Sequence, residues 1–544
     1  MKRMIVAAAL LVCAAAPAAG QGLTSGPYEL PYKNTYVKEV FVAENEYRTA
    51  RLERIEPLPF EQAREILPAP VWEGHDREIE MYWHAWRIAV GNIRQPQEGS
   101  GFVSPYLDIA YNGNIFMWDM SFMMMYARYG YRYFPFQRSL DNFYAKQHPD
   151  GFICREIRAD GSDCFERYDP TSTGPDLLPW VELAYYRQFG DIERLHRVFP
   201  ALCAYAKWWR LNRTWPDGTY WSSGWGTGMD NMPRVKPEYN PIFSHGHMVW
   251  LDTNLQQMLV DESLLQIGFY IERWQEIEWM EDEMKHLKRY VNEYLWDEQT
   301  GFLHDRYGDG SLCPTKGIGA YWALQTDALD GERLDRPAGP PRHRSVVAHL
   351  SDTTEFARPH RVPSLSADHA KYNPAGRYWQ GGVWPGTNYM LIDGLWRKGY
   401  RELAREIAAN HYASVFEVWK QTGTFWEYYA PERIEPGFMA RKDFVGWTGL
   451  PPIALFIEYV LGIKSDYSEQ RIEWDITHTE AHGIERYPFG PDGVVDLKVR
   501  RRRSASERPV VTVSTDVPFD LTVMWGDGES RTVRVEKSGE VKFD

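Results

Sequence analysis

The chain has 544 residues, of which 44% are hydrophobic, 25% charged and 15% aromatic. Those fractions exclude a disordered, collagen-like or disulfide-scaffold protein and leave length for a large core with one or two smaller units. The net charge of −14, from 61 basic and 75 acidic residues, makes nucleic acid a poor partner, because phosphate binding needs a basic face.

Residues 1–20 open with Lys2 and Arg3, continue with an apolar run over 4–16, and end in small residues, Ala18 and Gly20, before Gln21. This is the pattern of a secretory signal peptide, and the run is too short to cross a bilayer comfortably. Val12 stands before Cys13, where lipidation calls for a small residue. The mature protein is therefore expected to be exported, periplasmic or secreted, with no membrane contact after cleavage. Cys154, Cys164, Cys203 and Cys313 then remain. Cys154 and Cys164 are close enough to bridge across a loop, but free thiols fit as well. No C-x-x-C or H-E-x-x-H spacing signals zinc, and no EF-hand pattern signals calcium.

Residues 21–75 read as an N-terminal extension with a possible strand at 37–42. Over 76–463 helical periodicity dominates. Ile79, Trp83, Trp86 and Val90 share one face, and similar patterns recur at 122–132, 177–186, 191–211, 254–267, 274–295, 382–396, 402–415 and 448–461. Gly-, Pro- and Asp-rich loops separate them at 148–151, 215–234, 335–342 and 429–436. Helices paired by short turns, with long loops between, predict a helical toroid; no short-period repeat indicates a solenoid. Over 464–544 the period changes. Segments 494–499, 510–514, 521–525 and 532–536 read as strands, with Gly526-Asp527-Gly528 as a hairpin turn. This predicts a small C-terminal β-sandwich-like domain with a structural role. The basic run at 500–503 fits a solvated, charge-protected edge.

Chemistry concentrates in four loops: 111–122, 221–234, 377–385 and 422–429. Each joins aromatic residues to glycines, and all but the third carry a carboxylate. The 23 Trp and 33 Tyr of the chain serve either core packing or stacking on the apolar faces of sugars. A carboxyl against an aromatic wall has its charged form disfavoured, so one acid can stay protonated while another ionises. Glycoside hydrolysis needs such a pair, and Asp230 and Glu427 are the candidates. Glu432 is a rival base. Asp176 and Glu182 read as a helix cap and a surface charge.

The stretch Gly228-Met229-Asp230-Asn231-Met232-Pro233-Arg234 resembles the acid-bearing loop of glycoside hydrolase family 63, in its mannosylglycerate-hydrolase-like branch, which shares a clan with the family 37 trehalases. Trp118-Asp119 with Phe122, Tyr378-Trp379 with Gly381 and Trp384, Glu427-Tyr428 with Pro431, and Phe444-x-Gly446-Trp447-x-Gly449-Leu450 agree in order and spacing. The likeness covers roughly 78–462. It implies a mainly α, (α/α)6 barrel, a six-hairpin toroid with its site in the loops at one end, and an inverting mechanism. By matched position, Asp230 would be the general acid and Glu427 the general base. Asp119 would bind sugar hydroxyls. Trp118, Trp225, Tyr378, Trp379 and Trp384 would form aromatic walls beside Tyr428, although Trp118 and Trp384 also suit helix packing. Gly228 would allow close backbone approach. Asn231 and Arg234 would hold Asp230 or touch substrate, and Arg234 also suits a structural ion pair. The family needs no organic cofactor, and calcium is compatible with it. Two positions depart from the pattern: Gln380 stands where relatives have Arg, and 172–176 lacks a Gln-Pro pair. The expected function is an exported inverting α-glycosidase acting on an α-linked oligosaccharide or glycoside. The alternatives are a trehalase, a polysaccharide lyase using His245 and His247, or a non-catalytic glycan-binding protein.

Overall fold

A computed structural model describes residues 23–25, 28–30, 44–330, 341–526 and 528–543. The leader at 1–20 and the strand expected at 37–42 lie outside the described residues, as does Asp527 in the predicted hairpin turn.

Six helical elements contact one another in a closed cycle. α2 (Met117–Ala127) touches α3 (Leu178–Phe189), which touches α5 (Leu251–Tyr270). The cycle continues through α7 (Ile318–Leu324, a 3-10 helix), α8 (Pro385–Arg397) and α10 (Leu450–Val460, a π-helix), which returns to α2. A second layer backs this ring. α1 (Asp76–Gly91) lies on α10, α4 (Ile192–Asn212) on α3 and α5, α6 (Trp279–Tyr290) on α5, and α9 (Arg401–Thr422) on α8 and α10.

The two layers explain why the inner helices show a weak stripe in sequence. Every residue of α2 is buried, because it faces the ring on one side and the outer layer on the other; a helix apolar all round is a core helix. The outer helix α1 keeps a polar face while Trp83, Trp86 and Val90 are buried and Ile79 is half-buried. Local chemistry sets the ends. The Asp191 side chain accepts from the Arg194 N–H at the start of α4. Pro179 and Pro385 sit in first turns, where a missing N–H costs nothing. Gly190 and Gly423 close α3 and α9 with φ of 69° and 73°. Helix α2 begins earlier than its periodicity suggests, and that places Trp118 and Asp119 in its first turn. The periodicity did not reveal α7.

At the centre of the ring, Trp322 of α7 contacts Trp118, Phe122 and Trp180 at centroid separations of 6.2, 6.4 and 5.9 Å. Away from these rings, Glu458 of α10 accepts hydrogen bonds from Arg128 (2.9 Å), Tyr129 (2.7 Å) and Tyr389 (3.0 Å), tying the end of α2 to α8 and α10. Glu182 corrects the surface-charge expectation. It is buried in α3, where it takes two 2.7 Å bonds from Arg194 and others from Gln137 and Tyr144. Its partner lies on the next helix, so tertiary packing decides its burial.

Apart from short two-stranded pairs, the strands form two larger sheets. β1 (Ala69–Trp72) comes from ahead of the helices and joins β4 (His482–Pro488), with His482 opposite Trp72. That five-stranded sheet runs β9-β6-β5-β4-β1, with β5 (Val494–Val499), β6 (Val510–Thr515) and β9 (Gly539–Lys542). The four-stranded sheet runs β2-β3-β7-β8, from β2 (Ile463–Asp466), β3 (Arg471–Ile476), β7 (Phe519–Trp525) and β8 (Glu529–Val535), with β3 and β7 parallel. Strands β1 to β4 and β9 were not anticipated. The Trp474 indole donates to Leu461 O at 2.8 Å, and Arg405 of α9 pairs with Asp475, so the sheets brace the helical layer.

Candidate active site

Four segments converge at one end of the ring. The first is the start of α2. Strand Ile115–Phe116 pairs with Glu156–Ile157, and Met117 N donates to Arg155 O at 2.8 Å. This holds Asp119, in the first turn of α2, buried.

The second is the loop over 221–234. It folds on itself through Gly226 N to Ser223 Oγ (3.0 Å) and Gly228 N to Trp225 O (3.1 Å). Gly228 has φ of 72°, and a Cβ there would stand 2.9 Å from Trp118 Nε1. Only glycine lets this loop lie across the Trp118 indole, so the close approach expected at this position is to Trp118. Asp230, two residues on, lies within the electrostatic reach of Asp119.

The third is the turn at 376–384. Tyr378 has φ of 58°, an unfavourable conformation for an aromatic residue that is typical of functional sites. Its hydroxyl donates to Asp230 Oδ2 at 3.1 Å. Asn231 clips the two loops together. Its Oδ1 accepts from Trp379 N (2.8 Å), its Nδ2 donates to Arg377 O (3.3 Å), and its carbonyl accepts from Gln380 Nε2 (3.1 Å). Gln380 thus supplies a neutral bond between loops.

The fourth segment carries Glu427, which is buried. Its backbone N–H donates to Arg441 O (2.9 Å), its carbonyl accepts from the Trp447 indole (2.7 Å), and Arg441 Nε lies 4.0 Å from its Oε2. Arg441 also covers the Tyr111 ring at 3.6 Å.

Electrostatics follow from this enclosure. Burial raises the Asp119 carboxyl to about 8; Arg155 opposes the rise, while Glu427 and Asp230 add to it. Burial raises Glu427 to about 7, against Arg441 and with Asp230. Asp230 remains partly open to solvent yet surrounded by protein. Its carboxyl is also raised by desolvation, against the pull of Arg155 and hydrogen bonds from Tyr378 and Trp225. Three carboxyls in one field cannot all ionise cheaply, so the site holds protons at neutral pH. Glu432, the rival base, is paired with Arg358 (2.6 and 2.8 Å) and Tyr372 (2.6 Å), and these partners lower it.

The aromatic residues divide into two groups. Trp379 is 1% exposed and Trp384 2%, stacked 4.1 Å apart, with Tyr428 stacked on Trp384 at 4.3 Å. Trp118 is likewise buried. These rings lie beside the carboxyls, but protein covers their faces, so they back the site and do not wall it. Open ring surface belongs to Tyr378, Trp225 with Phe243 against its edge, and Tyr111, which is 44% exposed.

Arg234 does not reach Asp230. Its guanidinium is buried between Asp252 (2.6 and 2.8 Å) and Asp305 (2.8 and 2.5 Å) and lies over Trp250. It anchors the far end of the acid loop to α5, because two carboxylates can neutralise a buried cation where open solvent cannot. Asp176 is buried and accepts from Leu178 N at 3.2 Å from one residue ahead of the N-cap, which is Leu177. His245 and His247 pack against Trp215, with Trp221 also beside His245. The four described cysteines are free thiols. Arg155, Arg441 and Tyr111 were not singled out by sequence; nothing in their local patterns marks them, since only the fold brings them to the carboxyls. Among the described residues no group of His, Cys, Asp or Glu is arranged to hold a metal, and no helix is long and apolar enough to cross a membrane.

Residues 113–443 match the mannosylglycerate hydrolase MGH1-like glycoside hydrolase domain. The chain is 24% identical over 291 residues to a probable mannosyl-oligosaccharide glucosidase of Schizosaccharomyces pombe, covering 48% of this chain and 34% of that one. It is 29% identical over 173 residues to a mannosylglycerate hydrolase of Rubrobacter radiotolerans, covering 31% and 35% respectively. The alignments thus span about a third of the length of these two relatives. In fold it is similar to the GH63 mannosylglycerate hydrolase from Thermus thermophilus in complex with glucose, with a TM-score of 0.54 at 18% identity over 69% of this chain and 99% of that one.

Burial at this site has measurable consequences. Asp119→Asn raises thermal stability at pH 8.5 and does so less at pH 5. A folded carboxyl at about 8 against an unfolded value near 4 binds its proton more tightly in the fold, so its cost to stability grows as pH rises through that window. Melting curves at the two pH values would show the gain, and an equal or larger gain at pH 5 would contradict it. Trp379→Ala lowers unfolding free energy by about 3–5 kcal/mol, the usual cost of deleting a buried aromatic ring, whereas Trp225→Ala chiefly weakens sugar binding. Urea unfolding beside ligand titration separates the two, and wild-type stability in Trp379→Ala would refute the backing role.

Proposed function

This chain belongs to glycoside hydrolase family 63 through its mannosylglycerate hydrolase MGH1-like domain, is a glycoside hydrolase, and, we propose, works as an exported inverting α-glycosidase on an α-linked oligosaccharide or glycoside. The observation that carries the mechanism is the pair of enclosed carboxyls. Asp230 and Glu427 come from loops almost 200 positions apart, lie in one another's field, and both favour the protonated form more than free carboxylates do.

In this reading Asp230 is the general acid. Desolvation raises its carboxyl above the usual range, which favours the protonated form an acid needs, and the Tyr378 hydroxyl donates to it from one side. The proton passes to the glycosidic oxygen as the bond to the anomeric carbon breaks. Glu427 is the general base. It takes a proton from a water molecule, whose oxygen attacks that carbon from the opposite face, so the anomer released is inverted. A base near 7 is partly ionised at neutral pH and still basic enough to pull on water. Asp119, protonated at that pH, donates to a hydroxyl of the sugar. The residues held nearby need no cofactor for these steps.

The helical cycle supports the (α/α)6 barrel over 76–463, with 21–75 and the β domain of 464–544 as flanking units. Export is supported by Lys2, Arg3 and the apolar run that follows. It argues against a cytoplasmic solute as substrate and for an imported oligosaccharide or glycan fragment.

Asp230→Asn and Glu427→Gln each lower turnover by roughly 10²–10⁴-fold with the native circular dichroism spectrum retained, and proton NMR on wild type shows the β-anomer first. Near-wild-type rates in either variant would sink the assignment, and first release of the α-anomer would replace inversion by retention. A second test uses pH. The base must be ionised, so kcat/KM rises with pH through the Glu427 value. Arg441 holds that value down, so Arg441→Gln moves the rising limb to higher pH. A limb that stays put or moves the other way would count against Glu427.

A further inference from the structure

Arg155 is half-buried beside the carboxyl cluster. Its backbone is fixed on both sides: the carbonyl accepts from Met117 N at 2.8 Å and the N–H donates to Ser172 O at 2.9 Å. Its guanidinium lies 5.8 Å from the centre of the Phe165 ring, and Phe165 packs edge-on against Trp225 at 5.6 Å. That places the positive charge on the Trp225 side of the pocket, within Coulombic reach of both Asp119 and Asp230. Among the described residues the guanidinium makes no hydrogen bond and no ion pair. Its neighbours are otherwise engaged. Glu156 accepts from Asn114 (2.7 Å), Ser172 Oγ donates to Arg167 O (2.9 Å), and Thr173 Oγ1 donates to Ile153 O (2.7 Å).

We propose that Arg155 contacts the substrate and selects a glycoside that carries a carboxylate on the sugar bound between Asp119 and Asp230, a hexuronide. The proposal rests on the glycosidase reading above and narrows its substrate. The other site cation, Arg441, already faces Glu427. Asp119, raised to about 8 by burial, is a poor counter-ion for Arg155, and neither Asp119 nor Asp230 forms an ion pair with it among the described residues. A half-enclosed cation without an anion is unfavourable, and a substrate carboxylate would supply one. The planar fork of arginine matches a carboxylate with two parallel N–H···O bonds. A neutral hexose leaves those donors on hydroxyls at best.

The test compares p-nitrophenyl α-D-glucuronide and α-D-galacturonide with the matching α-D-glucoside and α-D-galactoside, using the purified full chain. The wild type is expected to favour one uronide over its hexoside at least tenfold in kcat/KM. Arg155→Gln should reduce that ratio at least tenfold, and Arg155→Lys, which keeps the charge and loses the fork, should fall between. A wild type that prefers the hexosides, or an Arg155→Gln variant that slows both classes equally, overturns the proposal. If none of the four is hydrolysed, the α-glycosidase reading fails separately, and calorimetry decides the role of Arg155. Glucuronate bound at least tenfold tighter than glucose, with the difference lost in Arg155→Gln, supports it; absence of that preference overturns it.

Discussion

The crowding of three carboxyl groups, two of them buried, at one end of a helical ring is the constraint on which the rest depends. Isolated carboxylates in such a place would be costly. The structure meets the cost by retaining protons, raising Asp119 to about 8 and Glu427 to about 7, and by setting Arg155 and Arg441 beside them. Those two charges also set the limits of the field. Each lowers the carboxyls that it faces, so the site is poised near neutrality and not locked in one protonation state.

Holding acids in that state requires rigid surroundings. The floor is the Trp322 cluster, and α2 rises from it with every residue covered. The acid loop is pinned at three points. Gly228 lies against Trp118, Asn231 is bonded to the aromatic turn, and Arg234 is clamped to α5 through Asp252. A displacement of about 1 Å between Asp230 and Glu427 would spoil the alignment that the proposed attack needs, which gives a physical reason for such redundant fixing. The stacked Trp379, Trp384 and Tyr428 belong to this support: they hold Tyr378 in its left-handed conformation and thereby aim its hydroxyl at Asp230.

The site polarises between a dry, aromatic back and a more open rim of Trp225, Phe243 and Tyr111. Burial on the back side strengthens every charge interaction there, while the rim leaves ring faces for a ligand. The β-sheets brace the outer helices through contacts such as Arg405 with Asp475, consistent with a structural role.

By itself the sequence determined much. The 3.6-residue pattern marked most helices, the change to alternating residues located the β region, and the motif order around Asp119, Asp230, Tyr378 and Glu427 carried the resemblance to the family. These are local signals: periodicity and motif spacing survive in one dimension. Other features depended on partners distant in the chain. The 3-10 helix α7 is apolar all round, so it carries no stripe. Strand β1 is separated from β4 by some 400 positions, and its role exists only in the pairing of Trp72 with His482. Aromatic residues near a motif read equally as sugar walls or as core, and only the enclosure of Trp379 and Trp384 decided between them. Arg234 and Glu182 owe their burial to counter-ions on other segments, and Arg155 and Arg441 owe their place at the carboxyls to loops that meet only when the ring closes. Charge and burial are properties of the assembled neighbourhood, which is why the tertiary structure alone assigned them.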